Sequence, residues 1–212
     1  SEMCIRDRFC QSNFSFLTGA SHAEELMLQA EFYRYQALAI TDECSVAGVV
    51  KAHTTIKQHK LDIKQIVGSM FWLNNECQVV LLCPCRKAYA ELCRIITNAR
   101  RRSEKGSYQL FEWDLMSIRH CLLLWLPKHQ ESDHYWGRWL QHHHAHRLWV
   151  AVQRHLGGDD DAYIRHCELL ASEFKLPMTA CGGVLMHSVE RLPLQHILTA
   201  IKHGCSVDKL GF

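Results

Sequence analysis

Apolar residues in this chain gather in short continuous blocks, separated by stretches where they recur every three or four positions. The blocks lie at 37–41, 63–73, 79–83, 121–126, 148–152 and 178–181. Most are apolar on successive residues rather than alternate ones, as expected of parallel strands covered on both faces. The intervening pattern predicts helices near 23–33, 46–58, 86–101, 159–173 and 189–203. Ser21, ahead of Glu24 and Glu25, reads as an N-terminal cap for the first of these. Gly157-Gly158 followed by an aspartate run puts anionic charge in the first turn of the fourth. Strand-helix alternation predicts a parallel α/β fold, and periodicity alone leaves an open sheet and a closed barrel equally available. Residues 10–53 form a β-α-β-α unit whose second strand ends in Asp42-Glu43. The C-terminal end of a buried strand is where α/β proteins place chemistry.

Composition narrows the picture. The chain has 212 residues, 48% of them hydrophobic, enough for one ordinary domain with a sizeable core. A formal charge of +2 argues neither for nor against a nucleic-acid partner. The basic run Arg100-Arg101-Arg102, with Arg94, Lys105 and Tyr108 nearby, reads as a solvated helix end more than as a phosphate contact. Eleven cysteines form no C-x-x-C pair, and Cys83-Pro84-Cys85 is too tight for zinc-finger spacing. Cys121 and Cys181 sit inside apolar runs as buried thiols do, which fits a reducing cytoplasm. No segment reaches the roughly 18 uninterrupted apolar residues of a membrane span, and no signal peptide is visible. Residues 1–8 (SEMCIRDR) resemble a translated sequencing adapter and are set aside as non-native. The uncapped end at Gly211-Phe212 reads as a cut.

Other chemistry is thin. His142-His143-His144 with His146 has the look of a metal tract, and a solvated helix is the simpler reading. Trp125, Tyr135, Trp136, Trp139 and Trp149 alternate with Leu and Val, which favours core packing over base stacking. There is no G-x-S-x-G elbow, and no Lys-Ser/Thr follows Gly182-Gly183 to make a phosphate loop.

Five blocks, SNFSFLTGASH, LAITDECSVAGVVKAH, IVGSMFWL, RLWVAVQRH and PLQHILTAIKHG, occur in this order. In them the chain resembles the N-terminal PHP (polymerase and histidinol phosphatase) domain of bacterial error-prone DNA polymerases, relatives of the polymerase III α subunit. The resemblance covers residues 9–212. It implies a distorted seven-stranded (β/α) barrel, with a metal cleft at the C-terminal strand ends.

Active members of that family hold about three divalent metals there with His, Asp and Glu, to clamp a phosphoryl oxygen and activate a bridging water. Mapped motif by motif, the resemblance puts Phe9 and Gln11 in the two His places of the first H-x-H. Asp42 stands at the family Asp and Glu43 at the usual His, as is common in the error-prone branch. Met70 replaces the bridging Glu, and Gly183 and Leu185 replace the late Asp-x-His. His155 and His187 match a family His and its flanking neighbour. The surviving set is Asp42, Glu43, His155 and His187, too few for a dinuclear or trinuclear cluster. The expectation is a degenerate, structural cleft, in which Asp42 and Glu43 cap the helix from Val46.

The resemblance further implies a parent polymerase whose magnesium-holding carboxylates lie downstream of Phe212. It implies translesion synthesis and damage-induced mutagenesis, with DNA, the sliding clamp and accessory mutagenesis proteins as partners. Two readings compete with it. One is a stand-alone metal-dependent PHP phosphoesterase or 3′-5′ exonuclease; the other is an inert fragment that never folds alone.

Overall fold

The computed structural model describes residues 6–155 and 157–210. In chain order the elements are β1 (Arg6–Cys10), α1 (Ala23–Phe32), β2 (Ala37–Ile40), α2 (Ala47–His59) and β3 (Lys64–Leu73). There follow β4 (Cys77–Cys83), α3 (Arg86–Arg101), α4 (Glu112–Met116), β5 (Leu122–Leu126) and α5 (Ser132–His144). The last are β6 (Leu148–Val152), α6 (Asp160–Phe174), β7 (Met178–Ala180) and α7 (Leu192–His203). The seven strands are hydrogen-bonded in chain order within one sheet. Two compact units divide the fold, Ser1–Val67 with Gly183–Phe212, and Gly68–Gly182. Among the described residues no helix is long and apolar enough to cross a membrane.

In the first unit, β1 pairs in parallel with β2, and β2 with the start of β3. Helix α1 buries Ala23, Leu26, Met27 and Ala30, one face at i, i+3, i+4 and i+7, against Cys10, Leu38, Ile40, Ala52 and Ile63. Cys10 also bridges Val184 in parallel, so residues after 183 return to β1. Residues 6–8 were set aside from the fold on the sequence, yet they belong to β1, where Arg6 and Asp7 pair with Ala37 and Leu38. Residues 1–5 lie outside the described residues. Ser21 does not cap α1 either. His22 is the N-cap residue, and the Glu25 carboxylate accepts its N–H at 2.8 Å.

The second unit departs from an all-parallel reading. Asn74 and Asn75, at φ 51° and 59°, turn the chain back from β3 into β4, and the Glu76 N–H closes the turn on the Leu73 carbonyl. Strand β4 then runs antiparallel to β5, while β5, β6 and β7 are parallel. A continuous apolar block looks the same in either direction, which is why the sequence pattern did not reveal this. Helix α3 buries Ala88, Leu92, Ile95 and Ala99, and with them Glu91. The Glu91 carboxylate accepts the N–H groups of Arg119, His120 and Cys121. Burial works to raise its pKa, but those three donors outweigh burial and hold it below the ordinary value.

Trp125 and Trp136 are core residues, as the alternation implied, whereas Tyr135 is exposed. Trp125 and Phe174 crowd Gly137, where a Cβ would lie 2.2 Å from the Phe174 ring, so only glycine lets α5 pack this closely. Of the basic run, Arg102 makes a two-pronged pair with Asp114 and lies over Phe111. Arg100 donates to the Ser107 carbonyl and covers Tyr108.

The histidine tract is not wholly solvated. His142 is exposed, but His144 is 2% exposed, and neither of its ring nitrogens has a hydrogen-bond partner. His146 falls in the 3-10 turn Ala145–Arg147 beyond α5, which breaks the helical spacing needed to chelate with His142. Burial, then the charges of His143, Arg147 and Arg119, lower the His144 imidazole to about 4. The unfolded chain, with a histidine near 6.5, therefore takes up a proton that the folded chain refuses. Stability present above about pH 6.5 is lost as the pH falls toward 4. Replacing His144→Leu is expected to remove this component. Between pH 7 and pH 4.5 the variant should gain on the order of 2–3 kcal/mol relative to its parent in chemical denaturation. An equal gap at both pH values would exclude a proton-refusing His144.

Candidate functional site

Strands β1 and β2 end side by side, and the residues just beyond them form the candidate site. At the end of β1 the Gln11 N–H bonds the Val184 carbonyl, and residues 12–15 fold into a tight turn closed by Ser15 N–H to Ser12 carbonyl. At the end of β2, Thr41 ties the strands together. Its hydroxyl donates to the Cys10 carbonyl and accepts the Cys10 N–H, both at 3.0 Å. The next residue is Asp42, which is 1% exposed.

The Asp42 carboxylate is the hub of this site. Oδ1 accepts the Ser12 N–H at 2.7 Å and the Ser15 hydroxyl at 2.8 Å, and Oδ2 accepts the Ser12 hydroxyl at 2.8 Å. The Ser15 oxygen in turn accepts Gln11 Nε2 at 3.2 Å and the Glu43 N–H at 3.0 Å. Ser15 thus uses its one proton and both lone pairs. Helix α2 starts against the same carboxylate, since a Cβ on Gly48 would lie 2.6 Å from Asp42 Oδ2. Burial pushes the Asp42 carboxyl above its ordinary value, and the hydrogen bonds from Ser12 and Ser15 only partly pull it back.

Asp42 therefore does not cap α2 as expected from the sequence. The cap residue is Val46, without a side-chain bond, and the Ala47 N–H goes to the Ser45 hydroxyl. Ser12 and Ser15 are the partners that pattern reasoning missed. The available signal was their i, i+3 spacing in SNFS, which puts two hydroxyls on one side of a turn.

The remaining candidates belong to both units. His187 belongs to the first unit, where Nδ1 bonds the Ser21 hydroxyl at 2.7 Å and the His187 N–H donates to the same oxygen at 2.9 Å. Glu25 lies 3.7 Å from His187 Nδ1 and is paired with Arg191. His187 thus fastens the returning segment to α1. His155 belongs to the second unit, beyond β6, where its N–H bonds Asp160 Oδ1 at 3.2 Å. A cleft of about 310 Å³ lined by His155, Gln153, Lys128, Asp159 and Tyr163 opens there. Phe9, Gln11 and Met70 are each 3% exposed and fill their positions as packing or amide groups. Gly183 adopts φ 63°, and the Leu185 carbonyl accepts the Ala20 N–H. Among the described residues no group of three or more His, Cys, Asp or Glu is disposed to hold a metal ion.

Strands in chain order, helices between them and a carboxylate at the strand ends define an α/β domain of the (β/α) class. The chain belongs to the PHP domain family, whose model matches residues 9–159. It is 87% identical over 210 residues to an error-prone DNA polymerase of Vibrio campbellii, a match covering 99% of this chain. It is 42% identical over 203 residues to an error-prone DNA polymerase of Pseudomonas aeruginosa, over 95% of this chain. The chain spans only 20% and 19% of the lengths of these relatives. Among solved structures, an amidohydrolase from Chromobacterium violaceum matches with a TM-score of 0.56 at 12% identity, over 85% of this chain and 87% of the other. That likeness concerns the fold, which is the seven-stranded PHP type the resemblance implied.

Asp42 ties two strand ends by satisfying a backbone N–H and two hydroxyls, and this predicts the order of its variants. Asp42→Ala leaves those donors unmatched in a buried site and is expected to cost on the order of 3 kcal/mol in chemical denaturation. The ionised form is the costlier one in the folded chain, so the neutral Asp42→Asn, which still accepts at Oδ1, is expected to cost less than about 1 kcal/mol. Equal losses in both variants would overturn this account.

Proposed function

We propose that this chain is the PHP module, residues 9–212, of an error-prone DNA-directed DNA polymerase of the polymerase III α family. The observation that carries the reading is the 87% identity to such a polymerase over 210 residues. In this reading nucleotidyl transfer belongs to carboxylates downstream of Phe212, which hold magnesium. The module itself serves as a structural support for the catalytic body. The polymerase acts in the cytoplasm in translesion synthesis, SOS mutagenesis and DNA repair. Its partners are DNA, the sliding clamp and accessory mutagenesis proteins.

The PHP cleft of this chain is degenerate in the same reading. Phe9, Met70, Gly183 and Leu185 offer no charged donor, and Gln11 offers only a neutral amide already bonded to Ser15. Asp42 spends its carboxylate on Ser12 and Ser15. These residues do not fit a dinuclear or trinuclear cluster, which needs several anionic or imidazole ligands around shared metals. A free-standing phosphoesterase or 3′-5′ exonuclease is disfavoured on the same grounds.

The full-length protein tests both parts of the proposal. Primer extension with magnesium is expected, and Asp42→Asn should leave its rate within about twofold, since the amide preserves the turn. Hydrolysis of p-nitrophenyl phosphate or of unpaired 3′ ends with manganese, zinc or iron should stay at background. Metal-dependent hydrolysis that Asp42→Asn abolishes would make the cleft active. Absence of primer extension would remove the polymerase reading.

A further inference from the structure

Helices α1, α3 and α6 turn an apolar face at i, i+3, i+4, i+7 spacing into a core, and α7 does not. Its apolar stripe is Leu194, Ile197, Leu198 and Ile201, and of the twelve residues in α7 only Ala200 is buried. Leu194 is 37%, Ile197 48% and Ile201 58% exposed. The helix is nevertheless well made. Proline stands in its first turn, Gly204 closes it at φ 63°, and Lys202 anchors it to the Thr18 hydroxyl at 2.9 Å. Beside the stripe, Leu194 and Leu198 share a cleft of about 250 Å³ with Leu17, Ala20 and Phe16, and Phe16 is 83% exposed. One contiguous apolar surface therefore runs from the 13–22 loop across α7. Such patches, larger than scattered surface leucines, mark surfaces that are covered in the working protein.

We infer that the α7 stripe and Phe16 form the docking surface for the polymerase body of the same polypeptide. The inference rests on the reading of this chain as the PHP module of a longer polymerase. Two observations select the occupant. The relative at 87% identity is five times as long as the matched segment, so four-fifths of its length lies outside this module. A second copy of the same face suits the surface poorly. Within α7 the one formally charged residue is Lys202, with no carboxylate, so a two-fold contact would offer that lysine no opposite charge from the same helix of a second copy. The complementary surface is an apolar patch rimmed by acidic groups. Docking there would give α7 the burial that its sequence pattern is built for.

The test uses the full-length polymerase with a photo-crosslinking amino acid in place of Ile197, and a reference probe in place of the exposed Val50 on α2. Primer extension by the same preparation reports on the polymerase reading separately from the docking. The expected result is a crosslink from position 197, at monomer mass, to a peptide outside residues 1–212, several-fold stronger than from position 50. Extension without such a crosslink, a crosslink at dimer mass, or equal crosslinking from both positions would overturn the docking surface. In a second measurement the paired change Ile197→Asp with Ile201→Asp is expected to release the module to a protease at least tenfold faster. Unchanged release would count against it.

Discussion

The carboxylate of Asp42 lies 1% exposed at the junction of two parallel strands, and the rest of the first unit is arranged around keeping it satisfied. An isolated buried charge of this kind is costly unless several donors converge on it. Here Ser12 supplies an N–H and a hydroxyl, Ser15 supplies a second hydroxyl, and Gln11 and the Glu43 N–H hold Ser15 in place. The turn after β1 is thereby fixed against the end of β2, and α2 is set so close that Gly48 has no room for a Cβ. Both carboxylate oxygens are engaged in this way, Oδ1 twice and Oδ2 once. One carboxylate thus joins the turn after β1, the end of β2 and the start of α2.

Much of this was readable from residue order. Strand β6 and helix α3 fall where the apolar pattern put them, because each is a clean block bounded by polar residues. Some of the misses trace to partners far away in sequence. Ser21 has the local chemistry of a cap, but its hydroxyl is taken by His187, 166 positions later. Glu91, on which the sequence pattern is silent, accepts three N–H groups from the loop before β5. Arg6 and Asp7, set aside with residues 1–8 for their likeness to a translated adapter, pair with Ala37 and Leu38 of β2. The reversal between β3 and β4 had a local signal in Asn74-Asn75, since asparagine tolerates positive φ.

The candidate ligands show the same division between identity and placement. Their identities were read by resemblance. Placement adds what each of them bonds. His187 fastens a returning segment, His155 bonds Asp160 through its backbone, and Asp42 organises a turn. Removing Asp42 would leave the buried donors of Ser12 and Ser15 unmatched.

The order of synthesis gives the returning segment a further significance. The first compact unit is discontinuous, made of Ser1–Val67 and Gly183–Phe212, with the whole of Gly68–Gly182 between them. Val184 must emerge before Cys10 acquires its second neighbour, and His187 before Ser21 acquires its partner. At typical elongation rates of about 5–20 residues per second, the opening residues wait roughly 6–23 s while the intervening unit is made. The intervening unit is complete in sequence first, although it starts second. The amino-terminal third of this chain thus spends its early life with β1 lacking a neighbour on one side, the period in which an unpaired strand is most exposed to wrong partners.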